Sequence, residues 1–152
     1  MRISAKADYA VRAVAELAIT DGQGPVHGDR IASAQHIPLK FLLNILTELR
    51  RARIVQSYRG AEGGYRLARP AGEITIAEVI RAVEGPLANV HESRPEELEY
   101  TGAAAGLREV WIAVRANLRA VLEAVTVADL ATGNLPRVIT ELAGDPDAWV
   151  SH

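Results

Sequence analysis

The sequence predicts a mainly α-helical fold with one small β-hairpin and a long carboxy-terminal helix. Three observations carry this. Apolar residues recur at helical spacing in three short segments before residue 52. A β-prone stretch, Ile54 to Arg59, is separated from Tyr65-Arg66-Leu67-Ala68 by the glycine-rich loop Gly60-Ala61-Glu62-Gly63-Gly64, which reads as a hairpin. Farther on, Leu107, Trp111, Val114, Leu118, Val121, Val125 and Ala128 alternate steps of four and three, a heptad seam on one helix.

The first helix is expected from Ser4 to Ile19, with Ala10, Ala13, Val14, Leu17 and Ala18 on its inner face. Asp21-Gly22-Gln23-Gly24-Pro25 breaks it. A short helix near Asp29–Gln35 turns Ile31 and Ala32 inward, and His36-Ile37 forms a tight turn. Pro38 suits the first position of the next helix, where its missing N–H costs nothing. That helix runs to about Arg51, with Phe41, Leu42, Ile45, Leu46 and Leu49 as its apolar stripe and Lys40, Asn44, Thr47 and Arg51 on or near the opposite face. After the hairpin, Thr75-x-x-Glu78 is a capping box opening a helix that ends at Gly85-Pro86. Residues 87–106 have no clean period and read as a connector. The seam helix is expected over 107–131. The tail, 132–152, holds one short helix around Arg137–Ala143.

Composition narrows the function. The chain has 152 residues, of which 49% are hydrophobic and 24% charged, as in a soluble globular protein. No apolar run is long enough to span a bilayer, and the first residues carry no apolar signal core, so a cytoplasmic protein without membrane partners is expected. The absence of cysteine removes disulfides, thiol nucleophiles and cysteine-ligated metal clusters. The net charge of −2 is unevenly spread. Residues 1–69 carry 11 Lys+Arg against 6 Asp+Glu, a net of +5, and residues 70–152 carry 6 against 13, a net of −7. Between 30 and 69, eight basic residues face only Glu48 and Glu62. A polyanion partner for that stretch is one reading, and a solvated charged face is the other.

Short helices followed by a hairpin make the winged helix-turn-helix plan. The major groove of B-DNA admits one helix, and the second helix of the pair presents its amino-terminal residues to base edges. Lys40 and Asn44, one turn apart, offer a donor for guanine and a carboxamide for adenine. Arg59, beside Gly60, Gly63 and Gly64, suits entry into a narrow minor groove.

These residues resemble a known family. Met1-Arg2-x-Ser4-x-Lys6-x-x-Tyr9-Ala10-Val11 resembles its opening, and Ile37-Pro38-Leu39-Lys40-Phe41-Leu42-x-Asn44-Ile45-Leu46 its recognition helix. Ser57-Tyr58-Arg59-Gly60-x-x-Gly63-Gly64-Tyr65-x-Leu67 resembles its wing, and Ile74-Thr75-Ile76-x-Glu78-Val79-Ile80-x-Ala82-Val83-Glu84-Gly85 the helix after it. The chain is similar to the IscR/NsrR/CymR-type (Rrf2) bacterial transcriptional regulators over most of 1–86, and more loosely to about Leu130. The resemblance implies a DNA-binding domain over 1–86, a connector over 87–106 and a dimerisation helix over 107–131. It implies a homodimer binding double-stranded DNA at an imperfect palindrome, as a repressor or occasional activator, with half-sites roughly 34 Å apart. By position, Lys40, Asn44 and Arg59 correspond to DNA-contacting positions of the family, and Pro38, Leu39, Arg51, Tyr58, Gly60 and Lys6 complete the DNA-binding set expected here. The implied dimer seam is Leu107, Trp111, Val114, Leu118, Val121 and Val125.

Three departures stand out. Several relatives carry three cysteines in the connector that hold an iron–sulfur cluster, and this chain has none. No cofactor is therefore expected, and the signal is left to a small molecule, a metal, another protein, or nothing. Arg53 stands at a helix end where relatives usually have glycine, and a left-handed turn there would cost about 1 kcal/mol. Leu43 stands where relatives often have a polar base-reading residue.

Other residues carry weaker readings. Arg50, Arg51 and Arg53 suit phosphates or, equally, complement the helix dipole. Lys6 and Arg2 suit backbone phosphate or ordinary surface. Tyr9 and Trp111 suit an effector pocket or simply the core. The four histidines lack ligand spacing. His91-Glu92, joined by Tyr100 or a partner's acids, is a candidate metal or effector site, against a solvated loop. No phosphate loop, triad order or metal spacing supports an enzyme. The rival to a DNA-binding regulator is a winged-helix protein–protein adaptor that does not bind DNA.

Overall fold

The computed structural model describes residues 2–152; Met1, which opens the amino-terminal motif, lies outside the described residues. The fold starts with helix α1, Ala5–Ile19, capped by Ser4, whose hydroxyl accepts the Ala7 N–H at 3.0 Å. Ala7, Ala10, Ala13, Val14 and Leu17 form its buried face. Three of these five are alanine, so neighbouring backbones approach closely, and α1 is the helix around which the others pack. Helix α2, Gly28–Gln35, ends at His36 in the left-handed conformation, with φ of 52°. The Ile37 N–H then donates to Ala32 O at 2.9 Å and Ile37 is buried, which turns the chain sharply into α3, Leu39–Arg51.

Leu42, Ile45, Leu46 and Leu49 seat α3 on the core. Phe41 departs from the expected stripe, being 61% exposed. At 100° per residue it lies about 80° from Leu49 around the helix, at the rim of the buried arc. Strands β1 (Val55–Tyr58) and β2 (Gly64–Leu67) pair antiparallel, with Val55 opposite Leu67 and Tyr58 opposite Gly64. Val26 adds a bridge to Tyr65, bonded in both directions at 2.8 Å, so the hairpin is stitched to the chain just before α2.

Helix α4, Ile76–Glu84, opens with the expected capping box and ends at Gly85, with φ of 81°. Burial pushes the Glu78 carboxyl up, but the Thr75 N–H, at 2.9 Å, and Arg69, also at 2.9 Å, outweigh it and hold it below its ordinary value of 4.5. A depressed carboxylate stabilises the fold above its unfolded pKa, and that contribution is lost as pH falls through the folded value. The pair is more than a third exposed, so the effect stays below about 1 kcal/mol. Glu78→Gln keeps the cap and removes the charge. It should lower Tm slightly at pH 7, with the gap closing as pH falls through the depressed value of the Glu78 carboxyl. A gap independent of pH in thermal melts would assign the loss to something other than charge.

The expected single helix over 107–131 is two helices. Helix α5 runs Leu107–Leu122 and α6 runs Val127–Thr132. Between them, the Ile76 N–H donates to Val125 O at 2.9 Å and the Val127 N–H to Ile74 O at 2.8 Å. Thr126 and Asp129 form a second capping box. Val125 and Val127 are buried in the protomer's own core, and α6 packs on α1. Val125 therefore belongs to the core and not to a seam. The connector is held by short elements. Pro95 is buried, Arg115 pairs with Glu96 at 2.5 Å, and the Trp111 indole N–H donates to Tyr100 Oη at 3.1 Å. Helix α7, Arg137–Ala143, matches the expected tail helix. No helix is long and apolar enough among the described residues to cross a membrane.

Candidate nucleic-acid interface

Helices α2 and α3 and the hairpin meet at Gly28. A Cβ placed there would lie 3.1 Å from Leu43 Cδ2, 3.7 Å from Tyr65 Cε2 and 3.8 Å from Leu39 Cδ1. The first turns of α3 and the root of the hairpin thus pack around one small residue. This accounts for Leu43, whose apolar side chain spends one edge on Gly28 while remaining 40% exposed. A second tie reaches the hairpin tip, where His27 Nε2 lies 3.0 Å from Ala61 O. The loop itself is sterically set. A Cβ on Gly63 would lie 2.2 Å from Tyr58 O, and one on Gly64, at φ 134°, would lie 2.4 Å from Val26 O.

On this frame, Pro38, Leu39, Lys40 and Asn44 are exposed at the amino-terminal half of α3. Lys40, Asn44, Thr47 and Arg51 repeat by four, three and four, which keeps them within about 60° of one another around the axis. Tyr58, Arg59 and Gly60 are exposed at the end of β1 and in the loop. Gly60 has φ of 97°, which an L side chain would resist. Tyr58 is held by its hydroxyl donating to Gln56 Oε1 at 2.8 Å and by the Arg66 guanidinium over its ring at 5.8 Å. Lys6 is a different case. Its ammonium pairs with Glu48 at 2.9 Å, on the carboxy-terminal half of α3, about 12 Å along the axis from Lys40. It is not gathered with the α3 amino-terminus.

Sequence reasoning missed part of this surface. Phe41 stands exposed between Lys40 and Leu42, where an apolar ring can meet a thymine methyl. Its helical-wheel angle was the available signal, since it sits at the rim of the apolar arc. Arg66 and Gln56 were also missed, although alternation along the strands puts them beside Tyr58.

The seam residues divide. Val114, Leu118 and Val121 line a groove of about 1200 Å³ with Ile3, Ala7 and Leu87. Leu107 and Trp111 lie outside that groove, and Trp111 is turned to Tyr100. No residue of α5 is fully buried. His91 and Glu92 are exposed at positive φ, 48° and 66°, and Tyr100 is engaged by Trp111. No group of three His, Asp or Glu side chains converges among the described residues. With no cysteine in the sequence, the residues present do not fit a cysteine-ligated iron–sulfur cluster.

Comparison with known proteins agrees with this architecture. Residues 3–133 match the family model described as Rrf2, iron-dependent transcriptional regulator. The chain is 51% identical over 145 residues to a protein of Mycobacterium tuberculosis named as a helix-turn-helix-type transcriptional regulator, covering 95% of this chain and 90% of that one. It is 36% identical over 132 residues to the transcriptional regulator CymR of Bacillus subtilis, covering 87% and 91%. Among solved structures, CymR of B. subtilis, described as the global cysteine regulator, superposes with a TM-score of 0.71 at 33% identity, over 88% of this chain and 98% of that one. IscR of T. potens superposes at 0.70 with 30% identity, over 100% and 93%.

Proposed function

The chain belongs to the Rrf2 family of DNA-binding transcriptional regulators, not to an enzyme family, and from that premise we propose that it acts as a homodimeric repressor on a palindromic operator. In this reading each protomer lays the amino-terminal half of α3 in the major groove, with Lys40 and Asn44 toward base edges and Pro38 and Leu39 against the groove wall. Tyr58, Arg59 and Gly60 enter the adjacent minor groove, and Arg51 meets backbone phosphate. Lys6, paired with Glu48, braces the far end of α3 against α1. The observation that carries the reading is the convergence of α3 and the hairpin on Gly28, which couples the exposed Lys40 and Arg59 through one rigid junction.

Dimerisation through α5 is supported by the same kind of observation. A helix of 16 residues with no fully buried position borders an apolar groove that also takes in Ile3, itself 79% exposed. A second copy of α5 would cover it, leaving Leu107 and Trp111 at the end of the seam near the connector.

The test is capture of genomic fragments by the purified protein, followed by anisotropy titrations across salt. Captured fragments sharing an inverted repeat, with affinity falling steeply as salt rises, are the expected result. An absence of enrichment, with no salt-dependent binding, would leave the adaptor reading in its place.

A further inference from the structure

We propose that Arg53 and Arg50 form a phosphate clamp on the DNA backbone beside the wing, and that the left-handed turn at Arg53 is kept for that contact. The inference rests on the DNA-binding reading above and adds a site to it. Helix α3 ends in a Schellman turn. The Ile54 N–H donates to Leu49 O at 2.9 Å, the Arg53 N–H donates to Arg50 O at 3.0 Å, and Ile54 is buried beyond them. This turn requires the left-handed conformation at residue 53, and Arg53 adopts it with φ of 59°. Glycine would do so without strain. Strain kept at a non-glycine residue points to a use for the side chain.

The surroundings indicate what that use is. Arg53 lines an open cleft of about 620 Å³ together with Arg50, Gln56, Ser57, Tyr58 and Arg69. Arg69 is committed, donating to Glu78 at 2.9 Å and to Glu73 O at 3.1 Å. Arg50 reaches only Ser57 Oγ, at 3.3 Å. Among the described residues neither Arg50 nor Arg53 has an acidic partner, and the one carboxylate of α3, Glu48, is taken by Lys6. Two guanidiniums and a hydroxyl around an open cleft form a donor set for one phosphate, which arginine grips in bidentate fashion.

The cleft and the wing arginine lie on the same stretch of chain, because Tyr58 both lines the cleft and precedes Arg59. Arg59 is two residues beyond Ser57, about 7 Å along the strand direction. An arginine in the minor groove and a clamp on the flanking backbone are then served by the same hairpin edge.

The test compares wild type with Arg53→Gly, Arg53→Ala, Arg53→Lys and Arg59→Ala in the full-length protein. The probes are a random-sequence 30-bp duplex and a duplex taken from the captured fragments, titrated by anisotropy over a range of KCl. The clamp predicts that Arg53→Gly and Arg53→Ala each reduce the salt slope by about 0.9 per bound protomer, equally on both duplexes. Arg53→Lys should keep the slope. Arg53→Gly alone should raise Tm, by about 2–4 °C, because it relieves the turn. An unchanged slope in Arg53→Gly and Arg53→Ala, while Arg59→Ala lowers it, would sink the clamp and leave the DNA-binding reading standing. A loss confined to one duplex would also sink it, since that marks base readout. Wild-type protein that binds neither duplex would overturn both.

Discussion

Leu118→Glu should run as single chains of 16.4 kDa in analytical ultracentrifugation, where the proposed dimer is expected of the wild type, with its helical circular dichroism intact. Leu118 sits in the carboxy-terminal half of α5 and lines the apolar groove, yet α5 contributes no fully buried residue to its own protomer. The substitution therefore spares the core built around α1. Across a two-fold interface the same position enters twice. Burying a carboxylate against apolar neighbours costs at least about 3 kcal/mol per copy, so roughly 6 kcal/mol for the pair, more than four decades in dissociation constant. An isologous interface of ordinary size does not survive that. A dimer that persists would mean that α5 is a surface helix and that the groove is filled by something other than a second copy. Operator affinity should fall with the dimer, because two half-sites joined rigidly bind far more tightly than either alone.

The elements that could be read from sequence are those set by local chemistry. Ser4 before α1, the Thr75/Glu78 box before α4 and Gly85 after it act within a few residues of themselves, and the structure uses each as a cap or stop. The hairpin was equally readable, since alternation and three glycines are local signals. The break after Leu122 was not. Leu118, Val121 and Val125 continue a heptad arithmetically, but Val125 is claimed by hydrogen bonds to a segment some fifty residues earlier in the chain. The local warning was the β-branched run Val125-Thr126-Val127 with Asp129 three residues after Thr126, a cap hidden inside an apolar period. Phe41 failed for a related reason. A helical wheel ranks directions, but whether a neighbour fills a given direction depends on the tertiary fold.

The site divides along the same line. Lys40, Asn44 and Arg59 were identifiable as charged or polar groups on one amphipathic helix and one glycine-rich loop. Their coupling was not, because it runs through Gly28, His27 and Val26, whose partners lie 11 to 39 residues away. Glycine at 28 has no local turn to explain it; it is small because Leu39, Leu43 and Tyr65 crowd onto it. The relative position of helix and wing is thus a property of packing, and the proposed reading of two grooves at once depends on it.

Arg59→Ala should weaken operator binding roughly tenfold for one protomer and roughly a hundredfold for the dimer, while leaving mass and Tm unchanged. The guanidinium is exposed at the end of β1 and makes no ion pair among the described residues, so the folded state does not depend on it. In the proposed complex its contribution is made only on DNA. A charge-assisted contact in a narrow groove is worth about 1.5 kcal/mol or more, and two-fold symmetry doubles it. The loss should be largest on sites whose flanks narrow the minor groove and smaller on G·C-rich flanks, because the arginine responds to groove potential rather than to a base edge. Lys40→Ala should behave differently, relaxing preference at one position of the half-site. Binding of Arg59→Ala equal to wild type on every flank would remove the hairpin from recognition, leaving α3 to act alone. The close approaches of Gly63 to the Tyr58 and Arg59 backbone and of Gly64 to Val26, which set the loop, would then have no role in recognition.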